Sequence, residues 1–152
     1  MIISTLCYLE NNDQYLMLLR NKKKHDVNEG KWIGVGGKTQ AGESPEECVC
    51  REVYEETGLI LDHYTMRGVF TFLSIGWEEE CIFVFTADQF HGQIKECDEG
   101  QLCWIKKDSL MNLNLWEGDK IFLKILLEDN CFFSLKLSYN KDQLVDCIIK
   151  TY

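Results

Sequence analysis

The sequence predicts an α+β domain in which one mixed sheet carries two main helices. Short runs rich in β-branched and aromatic residues recur along the chain and read as strands. Two segments read as helices, and strands and helices follow one another in a mixed order. The length of 152 residues fits one domain with one core, residues 1–152. A chain with 45% hydrophobic and 27% charged residues has an ordinary globular balance.

Residues 1–9 and 15–20 read as two strands around an Asn11-Asn12-Asp13 turn. Residues 21–31 are polar, with Lys22-Lys23-Lys24 near their start, and read as a loop. Residues 32–35 form a short strand ending at a Gly36-Gly37 loop. Residues 45–57 are the clearest helix. Ser44 can cap it, Pro45 suits its first position, Glu47 completes a Ser-x-x-Glu capping box, and Gly58 stops it. Residues 64–75 and 81–87 are strands around Gly76-Trp77-Glu78, and residues 102–105 are another. Residues 120–127 read as the second helix, with Ile121, Phe122, Ile125 and Leu126 as its apolar positions. Residues 131–138 and 144–149 close the chain as a hairpin around Asn140-Lys141.

Composition excludes several classes. A net charge of −9 disfavours binding to a nucleic-acid polymer, which needs clustered positive charge. It leaves a small nucleotide open, because a metal ion can supply positive charge locally. No run approaches the roughly 18 apolar residues of a membrane span. The apolar N-terminus lacks a basic flank and reads as a strand, not a secretion signal. Eight cysteines are scattered without a Cys-x-x-Cys pair, so reduced thiols and a cytoplasmic location are expected. Nothing in the sequence sets the oligomeric state.

The chemistry concentrates in the first helix. Glu52, Glu55 and Glu56 fall at i, i+3 and i+4, on one face, while Val49, Val53 and Thr57 lie on the adjoining arc and can face the core. Three carboxylates on one stripe repel one another, and a hard divalent cation among their oxygens relieves that repulsion. By itself, such a stripe also suits a solvated helix face with Glu47 and Glu55 paired to Arg51.

The surrounding residues single out one reading. Gly37, Glu43, Arg51, Glu52, Val53, Glu55, Glu56, Gly58 and Leu59 stand at the spacing G-x5-E-x7-R-E-U-x-E-E-x-G-U, where U is a bulky aliphatic residue. At roughly 5–7% per named residue, a chance match is on the order of 10⁻⁹ per starting point. This stretch resembles the signature of the Nudix hydrolases. The resemblance implies an α/β/α sandwich around a central mixed sheet. It also implies magnesium, with manganese as a substitute, held by Glu52, Glu55, Glu56 and the main-chain carbonyl of Gly36. Glu99, in an acidic loop before the strand at residues 102–105, is chosen as a further ligand. Glu52 is assigned as the base that takes a proton from water, with Glu56 in reserve. Arg51 orients the carboxylates, and Glu43 holds a water beyond the metal's direct ligands. Relatives of the MutT type attack the β-phosphorus of a nucleoside triphosphate and release a monophosphate and pyrophosphate.

Beyond the signature, Gly30-Lys31-Trp32, Gly36-Gly37-Lys38, Phe72 and Leu115-Trp116-Glu117-Gly118-Asp119 are similar to the 8-oxo-dGTP diphosphatases of that family, including the animal form. The similarity implies Trp116 and Asp119 as the base site: an aromatic plane for stacking and an acid for the base edge. Gly37, Lys38, Lys23 and Phe72 complete the candidate substrate residues. Two positions depart from the animal pattern, since Ile33 replaces an asparagine and Gly118 replaces the first of two aspartates. Other nucleoside diphosphate-X substrates therefore stay open, as does a nucleotide-sensing domain without catalysis. The complete acidic set favours an enzyme.

Overall fold

Strand β1 (Ile2–Asn11) organises the sheet because it has partners on both edges. In the computed structural model, which describes residues 1–152, β1 lies antiparallel to β4 (Val35–Lys38) and parallel to β6 (Glu80–His91). β6 continues antiparallel into β5 (Ile60–Ser74), and β5 runs parallel to β8 (Phe133–Asn140). The antiparallel β9 (Gln143–Thr151) forms the outer edge. At its far end β1 turns through Asn12 and Asp13, both with positive φ, into β2 (Gln14–Leu19). β2 pairs with β7 (Gln101–Lys106) and with the two-residue β3 (Trp32–Ile33). The predicted mixed sheet is present, with two parallel pairings that no local sequence rule encodes.

The helices α1 (Pro45–Thr57) and α2 (Glu117–Glu128) cover opposite faces, giving the α/β/α layers. Neighbouring residues of one strand show this. Cys7 and Leu9 pack with Val49 and Val53 of α1, whereas Tyr8 between them packs with Phe122 and Leu123 of α2. Side chains of a strand alternate between faces, so each helix seals one side of β1.

Several element bounds differ from the sequence reading. Residues 32–35 are two strands, because β3 pairs with β2 while β4 crosses to β1. Gly36 and Gly37 are not a loop. They lie inside β4, opposite Leu6 and Thr5. β5 starts at Ile60 and passes through irregular pairings around His63, where Asp62 and His63 break the apolar pattern. α2 starts at Glu117, one turn before the apolar periodicity, and its N-cap Trp116 provides no side-chain hydrogen bond. A 3-10 segment, Lys107–Asn112, carried no sequence signal. All eight cysteines are unpaired, and no helix is long and apolar enough to cross a membrane.

The α2 face of the core centres on Phe122. It is fully buried and stacks on Phe70 at 5.2 Å and on Phe133 at 6.1 Å. Truncating such a side chain loses transfer free energy and leaves a cavity. Phe122→Ala is expected to cost about 3–5 kcal/mol in urea denaturation and to lower the melting midpoint by roughly 10 °C. A loss below about 1 kcal/mol would show that this stack is not central to the core.

Candidate active site

The site begins with how firmly α1 is fixed. The Ser44 hydroxyl accepts from the Glu47 N–H at 3.1 Å, and the Glu47 carboxylate accepts from the Ser44 N–H at 2.8 Å. Pro45 opens the helix and Gly58 closes it with φ 80°. Cys48, Val49, Val53 and Thr57 are buried against the sheet, which sets the rotation of α1 about its axis. That rotation turns Glu52 and Glu56 toward β4. Contact is close enough to exclude side chains on the strand. A Cβ added to Gly37 would lie 2.5 Å from the Glu52 carboxyl carbon, and one on Gly36 would lie 1.9 Å from the Thr5 carbonyl oxygen.

The three glutamates of the stripe separate in space. Glu52 lines a cleft, Glu56 is buried and accepts from the Gly36 N–H at 3.0 Å, and Glu55 stays half exposed. Arg51 ties the group together. Its Nε donates to Glu43 at 2.7 Å, Nη1 to Glu52 at 2.7 Å and to Glu55 at 3.2 Å, and Nη2 to the Lys38 carbonyl at 3.0 Å. Glu47 serves the helix cap and not Arg51. The guanidinium holds the Glu43 carboxyl down at about 2. Glu99 reaches the same place from the loop before β7, held by Arg20 at 2.6 Å and by Lys23 at 2.9 Å.

Charge in this cluster is unbalanced. Burial raises Glu56, and a hydrogen bond from its carboxyl to Glu99 adds to the rise. Burial alone would raise Glu99 too, but the Glu56 hydrogen bond, Lys23 and Arg20 outweigh it and hold Glu99 below the ordinary range. The two carboxyls titrate as a pair, with Glu56 pushed up and Glu99 held down. Burial also raises Glu52, against the pull of Arg51.

This donor set fits a hard divalent cation. Two facing carboxylates share one proton, a third stands beside them, and the side-chain-free Gly36-Gly37 strand leaves backbone open to close approach. No three acidic side chains already form a closed ligand set. Magnesium usually takes only one or two carboxylates and completes its shell with water and substrate phosphate, so an open set suits it.

The cleft has a volume of about 610 Å³ and joins these carboxylates to an aromatic chamber. Gly36, Gly37, Lys38, Glu52, Glu99, Phe72, Trp116 and Asp119 all line it. Lys23 sits outside its wall, paired to Glu99. In the chamber, the Trp116 indole N–H donates to Asn28 Oδ1 at 2.9 Å, Tyr139 meets the Trp116 ring edge-on, and Lys31 lies 4.8 Å from the Trp116 ring centre. Asp119 is buried at the chamber wall and receives no hydrogen bond from the protein. Burial, only partly offset by Lys31, pushes its carboxyl up to about 7.

Sequence reasoning missed Asn28, Glu80 and Tyr139, which also line the cleft. Asn28 sits in a polar loop without pattern. Glu80, which accepts from the Ser4 hydroxyl at 2.5 Å, looks like a turn residue, and Tyr139 follows ordinary strand alternation. Gly118 has a structural reason. A Cβ there would lie 2.5 Å from Leu137 Cδ1 and 2.8 Å from the Tyr139 hydroxyl, so a side chain at this position would have to displace the ends of Leu137 and Tyr139.

Known proteins share this fold. A family model of the NUDIX domain matches residues 2–126. The chain is 34% identical over 134 residues to the oxidized purine nucleoside triphosphate hydrolase of Danio rerio, covering 88% of this chain and 83% of that one. It is 33% identical over 129 residues to an uncharacterized Nudix hydrolase of Bacillus subtilis, covering 82% and 78%. Among solved structures, a MutT protein from Bacillus halodurans superposes with a TM-score of 0.89 at 31% identity, over 99% of this chain and 98% of that chain.

The Asp119 carboxyl makes stability depend on pH. Its folded value of about 7 exceeds its ordinary value of 3.8, so the folded protein holds the proton more tightly. That contribution is full below about pH 4 and fades as pH rises through 7. Asp119→Asn removes the titration. Between pH 5 and pH 8 the variant should gain roughly 3 kcal/mol on the wild type in urea denaturation, at about 1.4 kcal/mol per pH unit up to pH 7. A difference that stays flat across that range contradicts the assignment.

Proposed function

The chain belongs to the Nudix family of hydrolases, which act on acid anhydrides in phosphorus-containing substrates, and on that premise we propose a magnesium-dependent nucleoside triphosphate diphosphatase that prefers oxidised purine nucleotides such as 8-oxo-dGTP. One observation carries the base preference: a buried acid without a protein partner, Asp119, beside the Trp116 ring in a cleft that leads to the carboxylate cluster. A purine stacked on Trp116 would present its edge to Asp119. An ionised carboxylate accepts from N–H groups of the base, and the protonated form can donate to a ring nitrogen or carbonyl. A value near 7 keeps both forms available at neutral pH. The names of similar proteins, which act on oxidised purine nucleoside triphosphates, support the same reading.

Glu52, Glu56, Glu99 and the Gly36 carbonyl would hold magnesium, with manganese as a substitute and Glu55 as an outer ligand. When bound, the ion offsets phosphate charge and lowers the pKa of water. The side chains supply the rest. Glu52 takes the proton of the attacking water, and its burial-raised pKa makes it a better acceptor than a solvated glutamate. Arg51 fixes the Glu52 carboxylate at 2.7 Å, and Glu43 fixes Arg51. Lys38 at the cleft wall and Lys23 near its rim provide positive charge for the triphosphate. The new oxygen bond forms at the β-phosphorus while its bond to the bridging oxygen breaks. That oxygen leaves with the monophosphate, and pyrophosphate is the second product. A free nucleotide substrate and eight unpaired thiols fit a cytoplasmic location.

Ile33 lines the cleft and offers the base only apolar contact, so discrimination rests heavily on Asp119. Competition kinetics with 8-oxo-dGTP and dGTP test the reading. The wild type should show the higher kcat/KM for 8-oxo-dGTP. Asp119→Asn should reduce that preference by about five- to 150-fold, the equivalent of the 1–3 kcal/mol of a hydrogen bond to a charged group. Equal specificity constants in the wild type overturn the oxidised-base reading and leave a general nucleoside triphosphate diphosphatase.

A further inference from the structure

β9 is a long outer edge whose only strand partner is β8. It is apolar for an edge: Val145, Ile148 and Ile149 are 62%, 53% and 50% exposed, and Tyr152 beyond them is 73% exposed. Proteins usually blunt such edges with proline, lysine or a bulge, because unpaired backbone groups recruit other strands. β9 has no proline. An irregularity between the Ser138 and Tyr139 pairings falls at Val145, and the strand runs regularly from Asp146 to Thr151.

The backbone fixes which groups face out. Phe132 and Tyr152 exchange both of their main-chain hydrogen bonds. Antiparallel pairing alternates from there, so Lys150, Ile148 and Asp146 bond inward to β8. Thr151, Ile149 and Cys147 therefore turn their N–H and C=O groups away from the sheet. A second copy pairing antiparallel across a two-fold axis must match outward groups with outward groups, so the axis passes through a residue. Placed at Asp146 or at Lys150, it sets like charges face to face. Placed at Cys147 or Ile149, it sets a charge against Ile148. Placed at Ile148, it sets Asp146 against Lys150 of the second copy twice over, Cys147 against Ile149, and Ile148 against itself. Ile148 and the two charge pairs then occupy the closely spaced pairs of the ladder, where side chains meet best. Neither Asp146 nor Lys150 takes part in an ion pair within the chain.

We propose that β9 is a homodimer interface, in which a second copy of this chain pairs antiparallel about Ile148 and extends the sheet through both protomers. A two-fold contact of this kind is self-complementary, as the Asp146–Lys150 spacing requires. The regular segment is short, so the dimer is weak and depends on concentration. No cleft residue lies on β9, so catalysis does not depend on the pairing.

The test is sedimentation velocity of the full chain, from roughly 10 μM to 1 mM. The wild type should shift from the mass of one chain, 17.8 kDa, toward twice that value. D146K gives the strand two positive side chains, and K150D gives it two negative ones. Each variant alone should associate at least tenfold more weakly than the wild type, while nucleotide hydrolysis stays unchanged. An equimolar mixture of the two should associate again, because every opposed pair is then oppositely charged. Three results overturn the proposal: a wild type that stays a single chain throughout, single variants that associate like the wild type, or a mixture that remains as weak as its components.

Discussion

Two carboxylates forced to face each other, Glu56 from α1 and Glu99 from the loop before β7, are the constraint that the rest of the site is arranged around. In water the pair would separate. Here Glu56 is buried against the Gly36 N–H, and Glu99 is clamped by Arg20 and Lys23, so the repulsion is met by sharing a proton. On the proposed function, a divalent cation would take the place of that proton. α1 can hold Glu56 there because both ends of the helix are capped and its inner face is locked into the sheet. β4 accepts the approach because it carries no side chain where Glu52 arrives.

The aromatic end of the cleft depends on the other face of the sheet. α2 packs on β8 so closely that Gly118 touches Leu137 and Tyr139, and the next residue, Asp119, is thereby buried at the chamber wall. The Phe70–Phe122–Phe133 stack holds α2 in that position. The two helices serve different chemistry, charge on one side and aromatic contact on the other. β1 links them, with alternate residues in the two cores.

The carboxylate end of the cleft is legible in the sequence because its requirements are local. A capping box, a stop glycine and carboxylates at helical spacing all lie within residues 37–59, and each makes physical sense on one helix. Gly36 and Gly37 were recognised for close approach but misplaced in a loop, because a glycine pair usually reads as a turn and its partner β1 is thirty residues away. Asn28, Glu80 and Tyr139 could not be found in advance. Glu80 and Tyr139 reach the cleft through the β1–β6 and β5–β8 parallel pairings, which leave no adjacent turn to announce them, and Asn28 comes from the loop between β2 and β3, where it meets the Trp116 indole. The exposed position of Glu55 also needed the structure, since periodicity puts it on the stripe but cannot say how far the cleft extends along the helix.

The central claim is that the Glu56–Glu99 pair is strained alone and relieved by magnesium, and the direct measurement is the effect of Mg²⁺ on folding stability without substrate. Urea denaturation of the wild type should show a midpoint that rises with free Mg²⁺. The gain should approach about 1.4 kcal/mol per tenfold increase beyond the dissociation constant. Glu56→Gln, compared with itself with and without the ion, should show little or none of that gain. A wild-type midpoint that does not move over the range of Mg²⁺ that supports hydrolysis, or an equal gain in the variant, would contradict the account.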